Sequence, residues 1–310
     1  MSSAQLLLIK KEVTYGVDST AAAVDTVWGE SVTFTPQGSR AAAVVERPGV
    51  GPVPGFMTGV YGELSVQIPL AASGTRGTAP KWGFLMKACG WTETLVATTS
   101  VTYALAADPA ASDSLTVYWR EDRRLHKLLG ARGMVSFKFD ENQRPVAIVK
   151  LKGLKTAVAD GARPAHADAT WTGWNDIRPI TQANTTFTFA GASAPFRSLS
   201  IDHSDNVVFS DRPNQRTIDL VGPRTLTGKT KMGVLLPSVL NLETLAENNT
   251  VSTLALVHGA TAGLILTVNA RFQNGQPTYS DDKGLDVQEA DLTFNASALN
   301  VDDDVSIVLT

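Results

Sequence analysis

The chain has 310 residues, 43% of them hydrophobic, which is enough for two ordinary domains or one large β-rich one. Its 27 basic and 30 acidic side chains leave a formal net charge of −3, and this excludes a cationic nucleic-acid binder, which needs a basic stripe to neutralise phosphates. A lone cysteine, Cys89, excludes an internal disulfide framework and a cysteine-based zinc site, and suits a protein made in a reducing cytosol.

The first apolar run, Leu6-Leu7-Leu8-Ile9, is too short to span a membrane. Its charges, Lys10-Lys11-Glu12, follow the apolar stretch instead of preceding it as in a signal peptide, so a soluble chain outside the general secretion pathway is expected. Residues 38–62 carry Pro48, Pro52 and Pro54 with glycines that include Gly55 and Gly59. Such a stretch is too long for a loop inside a compact domain, and reads as an arm that orders on a neighbouring subunit, with Arg47, Pro48, Pro52, Pro54 and Phe56 as its contact residues.

A strand at 64–69 leads through Ser73-Gly74-Thr75 to a helix over 80–88, with Pro80 near its first turn and Gly90 as its stop. Polar and apolar residues alternate at period two in 115–119 and 134–139, the mark of half-buried strands. The stretch 159–184, with Pro164, Pro179, Trp171 and Trp174, reads as a linker or an inter-subunit segment. The two tryptophans suit an anchor on a neighbouring subunit, a carbohydrate groove or a local core, and the sequence leaves the three open.

Further along, a strand at 217–221 and a turn at Thr227-Gly228-Lys229 precede a helix over 237–247, which stops at Asn248-Asn249. Residues 264–270 alternate again. In 286–296, Ala290, Leu292, Phe294 and Ala296 share one face, while Glu289, Asp291, Thr293 and Asn295 share the other. A last strand covers 305–309. The fold class is therefore mainly β with minor α.

The order strand, glycine loop, helix, Gly-Ala, strand, proline-ended turn, strand occurs twice. Gly130-Ala131 and Asn142-Gln143-Arg144-Pro145 in one copy answer Gly259-Ala260 and Asn274-Gly275-Gln276-Pro277 in the other. The expected division is a first domain over 1–158, a connecting segment over 159–184 and a second domain over 185–310, with an extra hairpin near 115–129 in the first copy.

Several segments then resemble the major tail tube proteins of long-tailed bacteriophages. They are Glu12-Val13-Thr14-Tyr15-Gly16-Val17-Asp18, Gly74-Thr75-Arg76-Gly77-Thr78-Ala79-Pro80, Leu125-His126-Lys127-Leu128-Leu129-Gly130-Ala131-Arg132-Gly133, residues 196–206 and the strand at 286–296. The resemblance implies β-sandwich or barrel domains each flanked by a helix, and a virion tail protein, assembled in the host cytoplasm, that polymerises into stacked rings. Rings would be hexameric for a single tube domain and trimeric if the domain is duplicated. Implied partners are copies of itself, the tape-measure protein and DNA in the lumen, and tail terminator and distal tail proteins at the ends, without membrane binding of its own. On this reading Glu289 and Asp291 face the lumen as an acidic wall that repels phosphates.

No enzymatic chemistry or cofactor is expected. Gly228-Lys229-Thr230 has the end of a phosphate-binding loop, but Pro223 stands where its first glycine belongs. Asp202-His203-Ser204-Asp205 lacks a nucleophile elbow, the four histidines lack ligand spacing, and Asp302-Asp303-Asp304 lacks the alternation of a calcium loop. The competing functional class is a monomeric β-sandwich module that binds a receptor or carbohydrate.

Overall fold

The computed structural model describes residues 4–42, 45, 49, 51, 53–175, 178–298 and 301–310. In the first half the elements are β1 (Gln5–Lys11), β2 (Glu30–Ala41), β3 (Phe56–Pro69), α1 (Gly83–Ala88), β4 (Trp91–Val96), β5 (Ser100–Leu105), β6 (Leu115–Glu121), β7 (Arg124–Asp140), β8 (Val146–Lys155) and β9 (Ala159–Asp160). The second half holds β10 (Thr185–Phe189), β11 (Ala192–Ser193), β12 (Phe196–His203), β13 (Val207–Arg212), β14 (Gln215–Leu220) and β15 (Leu226–Gly233). It continues with α2 (Leu242–Glu247), β16 (Ser252–His258), β17 (Leu266–Asn274), β18 (Thr278–Asp282), β19 (Leu285–Phe294) and β20 (Val305–Leu309). The fold is mainly β, as the period-two alternation requires.

Pairing runs in the order β1, β6, β7, β8, β3, β2 in the first half, every pair antiparallel. In the second half it runs β10, β16, β17, β19, β15, β12, again antiparallel throughout. In both, the sixth and fifth strands of the series come before a short helix in the chain, and the second and third come after it. Among the described residues, strand pairing joins the halves in two places. Phe137 to Asp140 of β7 pair with Ser198 to Ile201 of β12, and β20 lies between β5 and β17.

One hydrophobic core serves both halves, from Leu64, Val66 and Phe137 to Phe189, Phe272 and Ile307. Phe189 and Phe272 are fully buried with ring centroids 4.3 Å apart. Burying such a side chain contributes about 1.5–3 kcal/mol. The helix α1 buries Leu85, Met86 and Ala88, and the neighbouring Trp82 donates its indole N–H to the Ala71 carbonyl at 2.7 Å. The Asn241 side chain caps α2 by accepting from the Thr244 amide at 3.1 Å. Both helices begin later than the proline positions suggest, because Pro80 accepts a turn hydrogen bond from Gly83 and the chain turns again between Leu236 and Leu240.

Three local expectations are corrected. Thr227-Gly228-Lys229 is not a turn but the interior of β15, and the glycine is there because β12 passes so close: a Cβ on Gly228 would lie 2.2 Å from the Ser200 carbonyl oxygen and 2.9 Å from the Phe294 ring. The strand at 217–221 belongs to the separate hairpin of β13 and β14, so it does not lead to the helix. The extra hairpin of the first half is β4 with β5, whereas β6 pairs with the start of β7 as β16 pairs with β17, and the end of β7 stands beside β8 as β18 stands beside β19.

Residues 159–175 lie along the first half, and the end of the 159–184 stretch turns to the second, where the Asn184 carbonyl accepts from the Gly259 amide. Strand β9 pairs with the start of β7, Asp168 meets Arg120 at 3.5 Å, and the Thr170 amide donates to the Ala23 carbonyl. Buried Ile180 bridges to Glu141 beyond the far end of β7. The 38–62 stretch is also more regular than expected at its base, since Ser39 to Ala41 pair with Phe56 to Thr58.

The segment Glu12 to Asp18 is held by polar contacts. The Glu12 carboxylate, 4% exposed, accepts from the Gly16 amide (2.8 Å), Ser114 Oγ (2.7 Å), Thr116 Oγ1 (3.0 Å) and the Gly130 amide (2.7 Å). Tyr15 Oη accepts from the Ile218 amide at 2.6 Å, and its ring lies against Gly130, whose φ of +58° favours glycine. Asp18 accepts from Tyr118 Oη at 2.5 Å and from Lys127 Nζ at 2.9 Å.

Candidate functional site

Eight strands form one continuous antiparallel sheet in the order β2, β3, β8, β7, β12, β15, β19, β18, four from each half. Its residues alternate between the core and a free face. In β15, Leu226, Gly228, Thr230 and Met232 are buried, which turns Lys229 and Lys231 outward. In β12, Leu199, Ile201 and His203 are buried, and Ser198, Ser200 and Asp202 face out. The end of β7 buries Phe137 and Phe139 and presents Lys138 and Asp140.

Register lines these outward side chains into two rungs. Asp291, Lys229, Ser200 and Lys138 stand opposite one another in succession, as do Glu289, Lys231, Ser198 and Asp140. Lys229 Nζ lies 3.1 Å from Asp291 and 3.7 Å from Glu289, and Lys138 Nζ lies 2.8 Å from Asp140. The contact with Asp291, then the nearby Glu289 charge, holds the Lys229 ammonium above the usual lysine pKa. The face carrying Glu289 and Asp291 is thus balanced in charge, not acidic as their alternation with Ala290 and Leu292 suggests. Lys229 and Lys231 were hidden because Gly228 reads as a turn; the alternation Leu226, Gly228, Thr230, Met232 is the signal that reveals them.

The other site residues lie elsewhere. Trp174 is buried in its own chain, donating to the Thr26 carbonyl at 3.3 Å. Trp171 stays 53% exposed and meets Trp28 edge-on at 6.4 Å. Of the arm residues, Arg47, Pro48 and Pro52 lie outside the described residues, while Pro54 and Phe56 are exposed. At the base of the arm Tyr61 stacks on Phe209 of β13 at 4.9 Å, and Arg216 of β14 donates to the Val60 carbonyl at 2.6 Å.

The polar clusters have structural partners. His203 is buried against the Ser204 carbonyl, and burial lowers its pKa. Asp205 pairs with Lys152 at 2.8 Å, and Asp302 with Arg224 at 2.5 Å. Among the described residues no three His, Cys, Asp or Glu side chains converge as a metal site requires.

Compared with known proteins, residues 2–296 match the family model described as phage tail tube protein, which is nearly the whole chain. The chain belongs to the phage tail tube protein family. No curated protein matches it. Membership in the tail tube family makes the chain a structural component of the phage tail, and the family is a structural one and not an enzyme family. The match spans both halves, so the eight-stranded sheet lies within the tail tube region.

Proposed function

We propose that this tail tube protein polymerises into stacked rings of three chains, forming a hollow tube through which phage DNA passes to the host. The observation that carries this reading is the eight-stranded sheet: each half contributes four strands in the same pairing order, and among the described residues the sheet ends in open edges. Open edges are an aggregation hazard unless they are covered or joined, and joining them round a ring closes a barrel. Two similar units per chain, residues 1–158 and 185–310, give such a ring pseudo-sixfold symmetry with three chains. The tape-measure protein and DNA occupy its lumen, and tail terminator and distal tail proteins cover its ends.

Cryo-microscopy of tubes grown from the purified chain tests this. Three chains per ring are expected. Six chains per ring would overturn the repeat while leaving the tube, and featureless particles would overturn both.

The arm fits the same scheme. Residues 42–55 join β2 to β3 as the hairpin of β13 and β14 joins β12 to β15, and that hairpin packs on the first half through Ile218, Leu220 and Met134. Pro54 and Phe56, exposed where the arm returns to β3, and the exposed Trp171 are then available to a neighbouring chain.

In this tube the free face of the sheet, with Glu289 and Asp291, lines the lumen. Charge balance there leaves a passing duplex no basic band to grip. Replacing both carboxylates by lysine removes two exposed ion pairs of small energy and sets five lysines on two neighbouring rungs. Assembly should persist and DNA ejection should slow, most at low salt, where screening is weakest. Ejection is read from released DNA; intact tails with unchanged kinetics at low salt would sink the lumen assignment.

A further inference from the structure

The joint between the two halves is a template for the joint between chains. We propose that β2 of one chain pairs antiparallel with β18 of a second copy, with Thr33 opposite Ser280 and Phe34 opposite Tyr279. This rests on the ring reading above and names the edges and register that such a ring would use.

The register follows from equivalent positions. In the first half Pro69 ends β3 opposite Val146, and Val146 stands opposite Lys138. In the second half Gly233 ends β15 opposite Val287, and Val287 stands opposite Ser280. Ser280 therefore takes the place of Lys138, the residue that meets Ser200 across the joint between the halves. Ser200 itself stands opposite Lys229, four residues before Gly233, and the residue four before Pro69 is Ser65, which stands opposite Thr33. Thr33 thus takes the place of Ser200.

The faces agree as well. In the internal joint Phe137 meets Ile201 on the core side. Their counterparts are Tyr279, opposite buried Gln288, and Phe34, which packs on the core. Among the described residues β2 pairs with β3 alone and β18 with β19 alone, so each keeps one open edge. Thr33 and Ser280 are exposed, and Tyr279 is an apolar ring left 54% exposed on the core side. A second copy would cover it with Phe34. Without a partner the same edges invite indiscriminate strand pairing.

The test is a chain carrying Thr33→Cys and Ser280→Cys, assembled into tubes and oxidised. Directly opposed residues of an antiparallel pair bring their Cβ atoms within reach of a disulfide. Cys89 is fully buried and stays silent. Cross-linked dimers and trimers with nothing larger are expected, and chains carrying one substitution each should cross-link only when mixed. Native tubes should also protect the amides of residues 31–35 and 278–282 from hydrogen exchange relative to free subunits, a measurement that needs no substitution. A ladder reaching six supports the paired edges and overturns three chains per ring. Tubes without the cross-link, or with equal exchange at both edges, overturn the edge assignment while leaving the tube. Failure of the unsubstituted chain to form tubes overturns the reading beneath it.

Discussion

Replacing Glu12 by alanine should destabilise the subunit by about 2–4 kcal/mol, because the carboxylate satisfies four donors, of which Ser114, Thr116 and Gly130 are in buried bonds and Gly16 in a half-buried one. Ser114 and Thr116 can rotate their hydroxyls toward other acceptors. The amides of Gly16 and Gly130 cannot, and each buried unsatisfied donor costs about 1–3 kcal/mol. Glutamine is no rescue. One carboxylate oxygen receives Gly130 and the other receives Gly16, so an amide NH2 in either orientation faces a backbone N–H. Denaturant unfolding of Glu12→Ala and Glu12→Gln beside the native chain checks this. A loss below about 0.5 kcal/mol for alanine would mean that the site admits water or relaxes, against the static picture.

The second large effect is expected at Gly228. Alanine there puts a methyl carbon 2.2 Å from a backbone oxygen of β12, and a backbone atom cannot swing away as the end of a side chain can. Strand β12 must then move from β15, and β12 is the strand that carries the second half onto β7. Overpacking of this kind costs about 1–3 kcal/mol, and more where backbone must shift. Gly228→Val, bulkier still, should leave little folded protein. Gly275→Ala is the control, since its nearest new contact is an ordinary 3.8 Å. The control should melt near the native temperature and form tubes, whereas Gly228→Ala should melt lower and form few. Equal behaviour of the two alanine variants would refute the close-approach account of Gly228.

Much of this architecture was legible from alternation alone. The strand at 305–309 is found where it is expected, and 286–296 overlaps β19, in which Ala290, Leu292 and Phe294 face the core, while Ala296 lies exposed past its end. What misled was glycine. A glycine in a strand serves close approach as often as it serves a turn, and nothing local to Gly228 distinguishes the two; the deciding atom, the Ser200 carbonyl, is 28 residues away in the chain. The same loss of range hid the electrostatics. Glu289 and Asp291 form an acidic pair along their own strand, and only the register of β15 against β19 brings Lys229 beside them. Likewise the sequence leaves Trp174 open between an anchor, a groove and a local core until its segment is laid along the first half, where its indole meets Thr26. Local pattern reveals which residues face inward; which strands lie side by side is a property of the whole chain.

The double attachment between the halves has a mechanical side. A single strand pair between two units can act as a hinge, but here β7 joins β12 at one place, β20 is wedged between β5 and β17 at another, and one core fills the space between. Torsion about either joint strains the other, so the subunit resists bending as a plate does and not as a chain of two beads. In the tube proposed above, such plates would leave bending to the contacts from ring to ring, where the strain of a curved tail is taken up without opening the wall.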